Sequence, residues 1–298
     1  MDEGALPDGF DYVGDVYRPP YEAQAILMQA TVGCSYGKCT FCSGHADKAF
    51  AIKDQAILER DIAFAGRYCT RQDRVFIMDG NALCMPMPRW RWLLGAIRRG
   101  LPWVAGLATF ATARDVAEKS DADLHQLREL GLDRIYMGVE SGNAETLKRL
   151  RKGIDPAGLL LQGRRVGDAG MELVCSVMLG IVNAKDSLRH ARETGQLLSG
   201  MRPDIVTVLT LIAFAGTGIK QELERGDLNF LSVPQVLEEL QELLLHTELA
   251  GGLFDCSHSS GYVHFKARLP EEKQSAQALI DQALAGKCPL TPDAARRI

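Results

Sequence analysis

Three cysteines fall in one short run, Gly33-Cys34-Ser35-Tyr36-Gly37-Lys38-Cys39-Thr40-Phe41-Cys42. No second Cys-x-x-Cys pair stands elsewhere in the chain to complete a four-thiolate site. Three thiolates can hold three irons of a four-iron, four-sulfur (4Fe-4S) cluster and leave the fourth iron open. An open iron is a place for a ligand to bind and for an electron to leave. The same residues also allow a structural zinc with a distant fourth ligand such as His45, or a disulfide. The five remaining cysteines, Cys69, Cys84, Cys175, Cys256 and Cys288, have no ligand spacing among them, so no auxiliary cluster is expected.

Other reactive types recur along the chain. Asp79-Gly80-Asn81 offers acceptors around a glycine that lets another backbone approach closely, though Asp-Gly is also a plain tight turn. Glu140-Ser141 offers a carboxylate to hydroxyl groups, or a helix cap with the glutamate paired to a lysine. The basic residues Arg149, Arg151, Lys152, Arg164 and Arg165 form a solvated helix face with one or two turned inward. The segment from Asp255 to His264 is dense in Ser, His and Tyr. His258 and Tyr262 suit acid–base or hydrogen-bonding roles at neutral pH, and a surface loop is the alternative.

These residues need elements to hold them. Short apolar runs alternate with amphipathic helical ones, which predicts parallel βα units. Strands are expected over 25–31, 74–78, 104–111, 134–139, 172–179 and 204–212. Helices are expected over 54–68, 88–99, 120–130, 144–150, 155–169, 186–199, 234–249 and 270–285. Ser120 and Asp123 are spaced as a capping box, and Pro156 suits a first helical turn. Six such units make an α/β fold, a partial (β/α)6 TIM-like barrel with a short C-terminal α-rich extension. The predicted organisation is an N-terminal extension over 1–24, a core barrel over 25–230 and a helical extension over 231–298 that closes the barrel. The tail from Pro289 to Ile298 is expected to be loose. In such barrels the reactive loops lie at the C-terminal strand ends, where nearly all of these residues fall.

Composition limits the partners. The chain has 298 residues, is 46% hydrophobic and carries a net charge of −4. That charge gives no general basic field, so nucleic acid is not the expected partner. No apolar run approaches the roughly 20 residues of a membrane span. The acidic start, Met1-Asp2-Glu3-Gly4, lacks a signal pattern, and eight cysteines without one predict a reducing cytoplasm.

The cysteine run and the strand-end motifs resemble the radical S-adenosylmethionine (SAM) superfamily, over nearly the whole chain. The likeness is to the branch that includes the elongator catalytic subunit, the methylthiotransferases and the coproporphyrinogen-oxidase-like enzymes. This family places three residues between the first two cysteines; here there are four. Gly33 and Gly37 permit a bulge that absorbs the extra one. The resemblance implies that Cys34, Cys39 and Cys42 hold an oxygen-sensitive 4Fe-4S cluster that reductively cleaves SAM to a 5′-deoxyadenosyl radical, which abstracts hydrogen from a substrate. An atypical cleavage that transfers another part of SAM, or a non-catalytic iron–sulfur or zinc scaffold, are the alternatives.

The resemblance also implies particular contacts. Phe41 lies near the SAM adenine, Asp79, Gly80 and Asn81 hold its amino group, and Glu140 or Ser141 holds the ribose. Lys152, or else Arg165, pairs with the carboxylate, and Leu179 flanks the adenine within Val177-Met178-Leu179-Gly180-Ile181. His258 and Tyr262 face a small-molecule or peptide substrate. An electron donor such as flavodoxin or ferredoxin is implied.

Overall fold

A computed structural model describes residues 9–44 and 48–297. His45, the candidate zinc ligand, and the acidic start lie outside the described residues. The chain divides into two compact units. One holds residues 1–37, 44–136 and 168–172; the other holds 38–43, 137–167 and 173–298.

In the first unit, β1 (Ile26–Gln29) gives way at Ala30 to β2 (Thr31–Val32), which pairs antiparallel with β3 (Ala51–Ile52). The single strand expected over 25–31 is thus two. Helix α1 (Gln55–Tyr68) then leads to β4 (Arg74–Met78), α2 (Met87–Gly100) and β5 (Gly106–Ala111). β1, β4 and β5 lie side by side and parallel, with Met28 opposite Ile77 and Phe76 opposite Ala108. Helical crossovers between parallel strands are the arrangement that lets both sheet faces be covered. A short α3 (Ala113–Ala117), absent from the sequence reading, follows β5, and α4 (Asp121–Glu129) carries the expected Ser120–Asp123 capping box.

β6 (Leu132–Glu140) starts in the first unit and ends in the second. At the strand starts of the first unit, buried Glu22 takes Arg74, Arg134 and the Tyr136 hydroxyl. Arg134 also holds Glu172 at 2.7 Å. This charge network sits at the N-terminal strand edge, where barrels place stability rather than chemistry.

In the second unit, α5 (Ala144–Arg149) and α6 (Pro156–Asp168) precede β7 (Glu172–Leu179), and α7 (Ala184–Met201) leads to β8 (Ile205–Thr210). The unpredicted α8 (Gly218–Arg225) comes next, then α9 (Val233–Leu245), whose apolar face lies on α7. β7 and β8 are parallel, and a further short strand, β9 (Leu253–Asp255), extends them in the same direction. β10 (Lys266–Arg268) turns back antiparallel on β9, and α10 (Lys273–Leu284) follows. The C-terminal extension therefore adds strands as well as helices, and the His258–Tyr262 segment is the connection leaving β9.

The tail is not loose. Thr291 N–H donates to Tyr262 O at 2.9 Å and Arg297 N–H to Ser259 O at 3.1 Å. Arg296 donates to the carbonyls of Ser260 and Leu211. The expected looseness is thus replaced by hydrogen bonds to the β9–β10 connection.

Candidate cofactor site

In the first unit, two tripeptides lie against one another in register. Asp79 Oδ2 accepts the Gly33 N–H at 3.2 Å, and Asn81 Oδ1 accepts the Ser35 N–H at 2.9 Å. Between them Gly80 meets Cys34: a Cβ on Gly80 would come within 2.5 Å of Gly33 O and 2.8 Å of Cys34 Cα. Only glycine permits that approach. Gly33 and Gly37 take the left-handed region, at φ 69° and 57°. The residues on both sides of Cys34 are thus pinned by side chains from the end of β4.

Asp79 is 1% exposed and is also held by Lys48, whose Nζ lies 3.0 Å away. Lys48 reaches on to the Asp15 carbonyl. A buried carboxylate needs such a partner to remain charged. Asn81 is wholly buried, and its Nδ2 donates to Ser35 Oγ at 2.8 Å and to Asp115 Oδ1 at 2.9 Å. Asp115 is fixed in turn by the Thr112 capping box at the start of α3. Burial raises the Asp115 pKa, against the hydrogen bonds of Thr112 and Asn81. The Cys84 thiol touches Ser35 and is pushed up to about 11, by burial above all. The guanidinium of Arg114 sits 4.8 Å from the Tyr36 ring.

In the second unit, Thr40 N–H donates to Leu150 O and Thr40 O accepts from Ile219 N–H. Phe41 packs against the apolar cluster of Leu150, Met178, Ile181, Val182, Leu211, Ile219 and Leu228. Helix α5 ends with Arg151 in the left-handed region, at φ 53°. Lys152 N–H bonds Leu147 O and Arg151 N–H bonds Lys148 O, the paired bonds of a Schellman end. This turn brings Lys152 Nζ to 2.8 Å from Glu140 Oε1 and 5.8 Å from the Phe41 ring centre. Burial disfavours the ammonium. Glu140 and the thiols of Cys39 and Cys42 more than offset that, so the Lys152 pKa is raised. Glu140 itself has φ 65°, in a three-residue turn closed by Ser141 N–H on Val139 O. Gly138 leaves room for the pair: a Cβ there would lie 2.5 Å from Glu140 Oε1.

The other expected residues are placed as follows. Ser141 is fully buried, and its Oγ accepts the Asn143 N–H at the start of α5. Leu179 is buried, and its carbonyl takes Leu211 N–H; its neighbours Met178 and Ile181 belong to the cluster against which Phe41 packs. Arg165 lies in the last turn of α6 and donates to Gln162. That end of α6 leads into the start of β7, so Arg165 is at the opposite strand edge from Gly180. His258 Nδ1 accepts the Ser260 N–H at 3.1 Å and contacts Ser260 Oγ at 2.8 Å. Ser260 Oγ in turn accepts Thr210 N–H at the end of β8. Tyr262 donates to Asp293 and accepts from Arg296, both at 2.7 Å, and burial above all pushes it up to about 12. Lys48, Asp115, Gly138 and Arg296 were not singled out in the sequence. Only Asp115 had a local signal, its Thr112-x-x-Asp115 spacing.

The donor set fits an iron–sulfur cluster. All eight cysteines are free thiols, and Cys34, Cys39 and Cys42 are partly or fully exposed on their loop. Thr40 Oγ1, between two of them, is buried without a hydrogen-bond partner. Among the described residues no three His, Cys, Asp or Glu side chains are already gathered around one point. Nor, among the described residues, is any helix long and apolar enough to cross a membrane.

No protein of curated function matches the chain in sequence. Among solved structures, coproporphyrinogen III oxidase from Escherichia coli is similar, with a TM-score of 0.58, 17% identity, and 86% of this chain and 58% of that one covered. Methylornithine synthase gives 0.53 and 15%, covering 76% and 63%. The archaeal Methanocaldococcus infernus Elp3 with an N-terminal deletion gives 0.52 and 15%, covering 78% and 60%. The chain spans about three fifths of the length of these structures. The likeness is one of fold, an α/β partial (β/α)6 barrel. Residues 28–193, more than half of the chain, match the Radical SAM superfamily. The chain therefore belongs to the radical SAM superfamily, whose cofactors are a 4Fe-4S cluster and SAM, and it is an enzyme of that superfamily.

Proposed function

We propose that Cys34, Cys39 and Cys42 hold one 4Fe-4S cluster and that SAM binds beside them at the strand ends. When bound and reduced, the cluster supplies one-electron cleavage of SAM to methionine and a 5′-deoxyadenosyl radical that takes hydrogen from the substrate. The observation that carries this reading is the buried Lys152–Glu140 pair against Phe41, with Glu140 in a left-handed turn. Such backbone costs about 1–3 kcal/mol, so it persists only where the surrounding structure holds it, as at many functional sites.

Each residue then has a role in holding SAM. Phe41, with Met178 and Ile181, gives an apolar wall for the adenine, backed by Leu179. Glu140 accepts from the ribose hydroxyls, with Ser141 behind it. Lys152 holds Glu140 in place and offers its ammonium to the methionyl carboxylate; Arg165 is the weaker candidate, on the far edge of its helix. The Asp79–Asn81 segment meets the amino group through its backbone, because its side chains already hold the cysteine loop. His258 and Tyr262, on the connection leaving β9, face the substrate, and residues 231–298 act as the closing extension of a core over 25–230.

The substrate is a small molecule or peptide, the reductant a flavodoxin or ferredoxin, and the compartment the cytoplasm. The test is anaerobic reconstitution followed by dithionite and SAM. 5′-Deoxyadenosine is expected by chromatography, and not from the variant with all three loop cysteines changed to Ala. A fully loaded protein that forms none overturns the reading.

A further inference from the structure

The first gap of the cysteine motif runs from Ser35 to Lys38, one residue longer than the family spacing. A flexible loop residue loses backbone freedom when it is ordered. An extra residue therefore makes the direction of Cys34 harder to define, unless something outside the loop fixes it. In the first unit that outside support is Asn81. Its Oδ1 takes the Ser35 N–H at 2.9 Å and its Nδ2 donates to Ser35 Oγ at 2.8 Å, so one amide grips both polar groups of the residue after Cys34.

An amide can turn end for end, but Asn81 has only one satisfactory orientation. Asp115 Oδ1 and Oδ2 lie 2.9 and 3.1 Å from Asn81 Nδ2. A carboxylate only accepts, so the nitrogen must face Asp115 and the oxygen must face Ser35 N–H. Asp115 cannot swing, since Thr112 N–H and Oγ1 hold its Oδ2 at 2.7 and 2.8 Å. A rigid chain of contacts thus runs from the start of α3, through Asp115 and Asn81, to Ser35.

We propose that Asn81, oriented by Asp115, is the positioning residue that gives the lengthened gap a single conformation and so fixes the approach of Cys34 to the cluster. This rests on the cysteine reading above. The longer gap is what makes such support necessary, and the grip acts on its first residue.

The first test needs no cluster. In Asn81→Ala, amide hydrogen exchange at Ser35 should be roughly tenfold faster, the loss of about one net hydrogen bond. Asn81→Ser, which fills more of the buried space but is too short to reach Ser35 N–H, should do the same and serves if the Ala variant does not fold. After anaerobic loading, both variants should show altered g-values in the reduced-cluster EPR spectrum. In a chain lacking Ser35, whose gap is shortened to three residues, Asn81→Ala should leave that spectrum unchanged. Unaltered exchange and EPR in both Asn81 variants, or an equal EPR change in the shortened chain, overturns the proposal alone. An unaltered chain that takes up no iron, or a triple Cys→Ala variant that keeps it, overturns the cysteine reading and the proposal with it.

Discussion

Lys152 Nζ lies 2.8 Å from Glu140 Oε1, and each side chain is only 8% exposed. The family resemblance assigns these residues to different ends of SAM, yet they meet each other. Two left-handed turns make this possible, one at Glu140 where β6 ends and one at Arg151 where α5 ends. A carboxylate buried in a low-dielectric site needs a fixed counter-charge. Lys152 supplies it without leaving the Phe41 ring.

Breaking the pair on one side should cost more than removing both sides. Lys152→Met leaves Glu140 buried and uncompensated, an effect of about 3–5 kcal/mol for such pairs. Glu140→Gln leaves the ammonium in the same position. The double variant should be more stable than the two single losses added together, as read from denaturant unfolding curves in a double-mutant cycle. Strict additivity would mean that the two groups do not interact.

Gly138 should be intolerant of any side chain. A Cβ there would stand 2.5 Å from Glu140 Oε1 and 2.9 Å from Lys152 Nζ. Gly138→Ala should therefore displace the pair while leaving the cysteine loop untouched. The expected outcome is normal iron and sulfide content with at least a several-fold weaker SAM affinity by calorimetry. A cost of about 1–3 kcal/mol, as for overpacking, sets that scale. Unchanged SAM affinity would remove Glu140 and Lys152 from the cofactor site.

Most strands and the crossover helices were readable because their apolar periodicity and caps are local signals, as with Ser120 and Asp123. The cysteine spacing was readable for the same reason. What the sequence could not reveal is partner choice over distance. Asp79 and Asn81 looked like free acceptors, but Gly33, Ser35, Lys48 and Asp115 occupy them. β9 and β10 are three residues each and carry too little pattern to be recognised. The tail was expected to be loose, and its order comes from Arg296 and Thr291 finding partners in the β9–β10 connection, contacts that local sequence cannot reveal.

Arg296 should behave as the fastening of that tail. Its guanidinium donates to Ser260 O, Leu211 O and the Tyr262 hydroxyl, and its carbon lies 4.4 Å from the Tyr262 ring centre. Arg296→Gln loses charge-assisted bonds of about 1.5–3 kcal/mol in all. Amide exchange at Thr291 and Arg297, which bond Tyr262 O and Ser259 O, should rise about tenfold or more. Cys256 N–H, held by Phe265 O between β9 and β10, should keep its protection. Equal loosening at all three amides would point to general destabilisation instead of a local fastening.

His258 is held neutral by its surroundings. The Ser260 N–H can only donate, so Nδ1 accepts and the ring proton sits on Nε2. Burial lowers the His258 pKa from its ordinary 6.5, with Asp255 opposing and His264 assisting. Just below 6.5 the unfolded chain therefore binds a proton that the folded chain refuses. This contribution is fully present above 6.5 and is lost as pH falls toward the lowered value, with a slope of at most about 1.4 kcal/mol per pH unit. His258→Asn can keep an acceptor near Nδ1 but cannot titrate, so its unfolding free energy should fall less steeply between pH 7.5 and 5.5 than that of the unaltered chain. Parallel curves would mean that His258 is not held neutral. The same variant tests the substrate-side role. It should load its cluster fully, bind SAM as tightly, and still form 5′-deoxyadenosine without a substrate, since none of the groups assigned to SAM is changed. Loss of SAM affinity in His258→Asn would move the β9–β10 connection from the substrate side to the cofactor site.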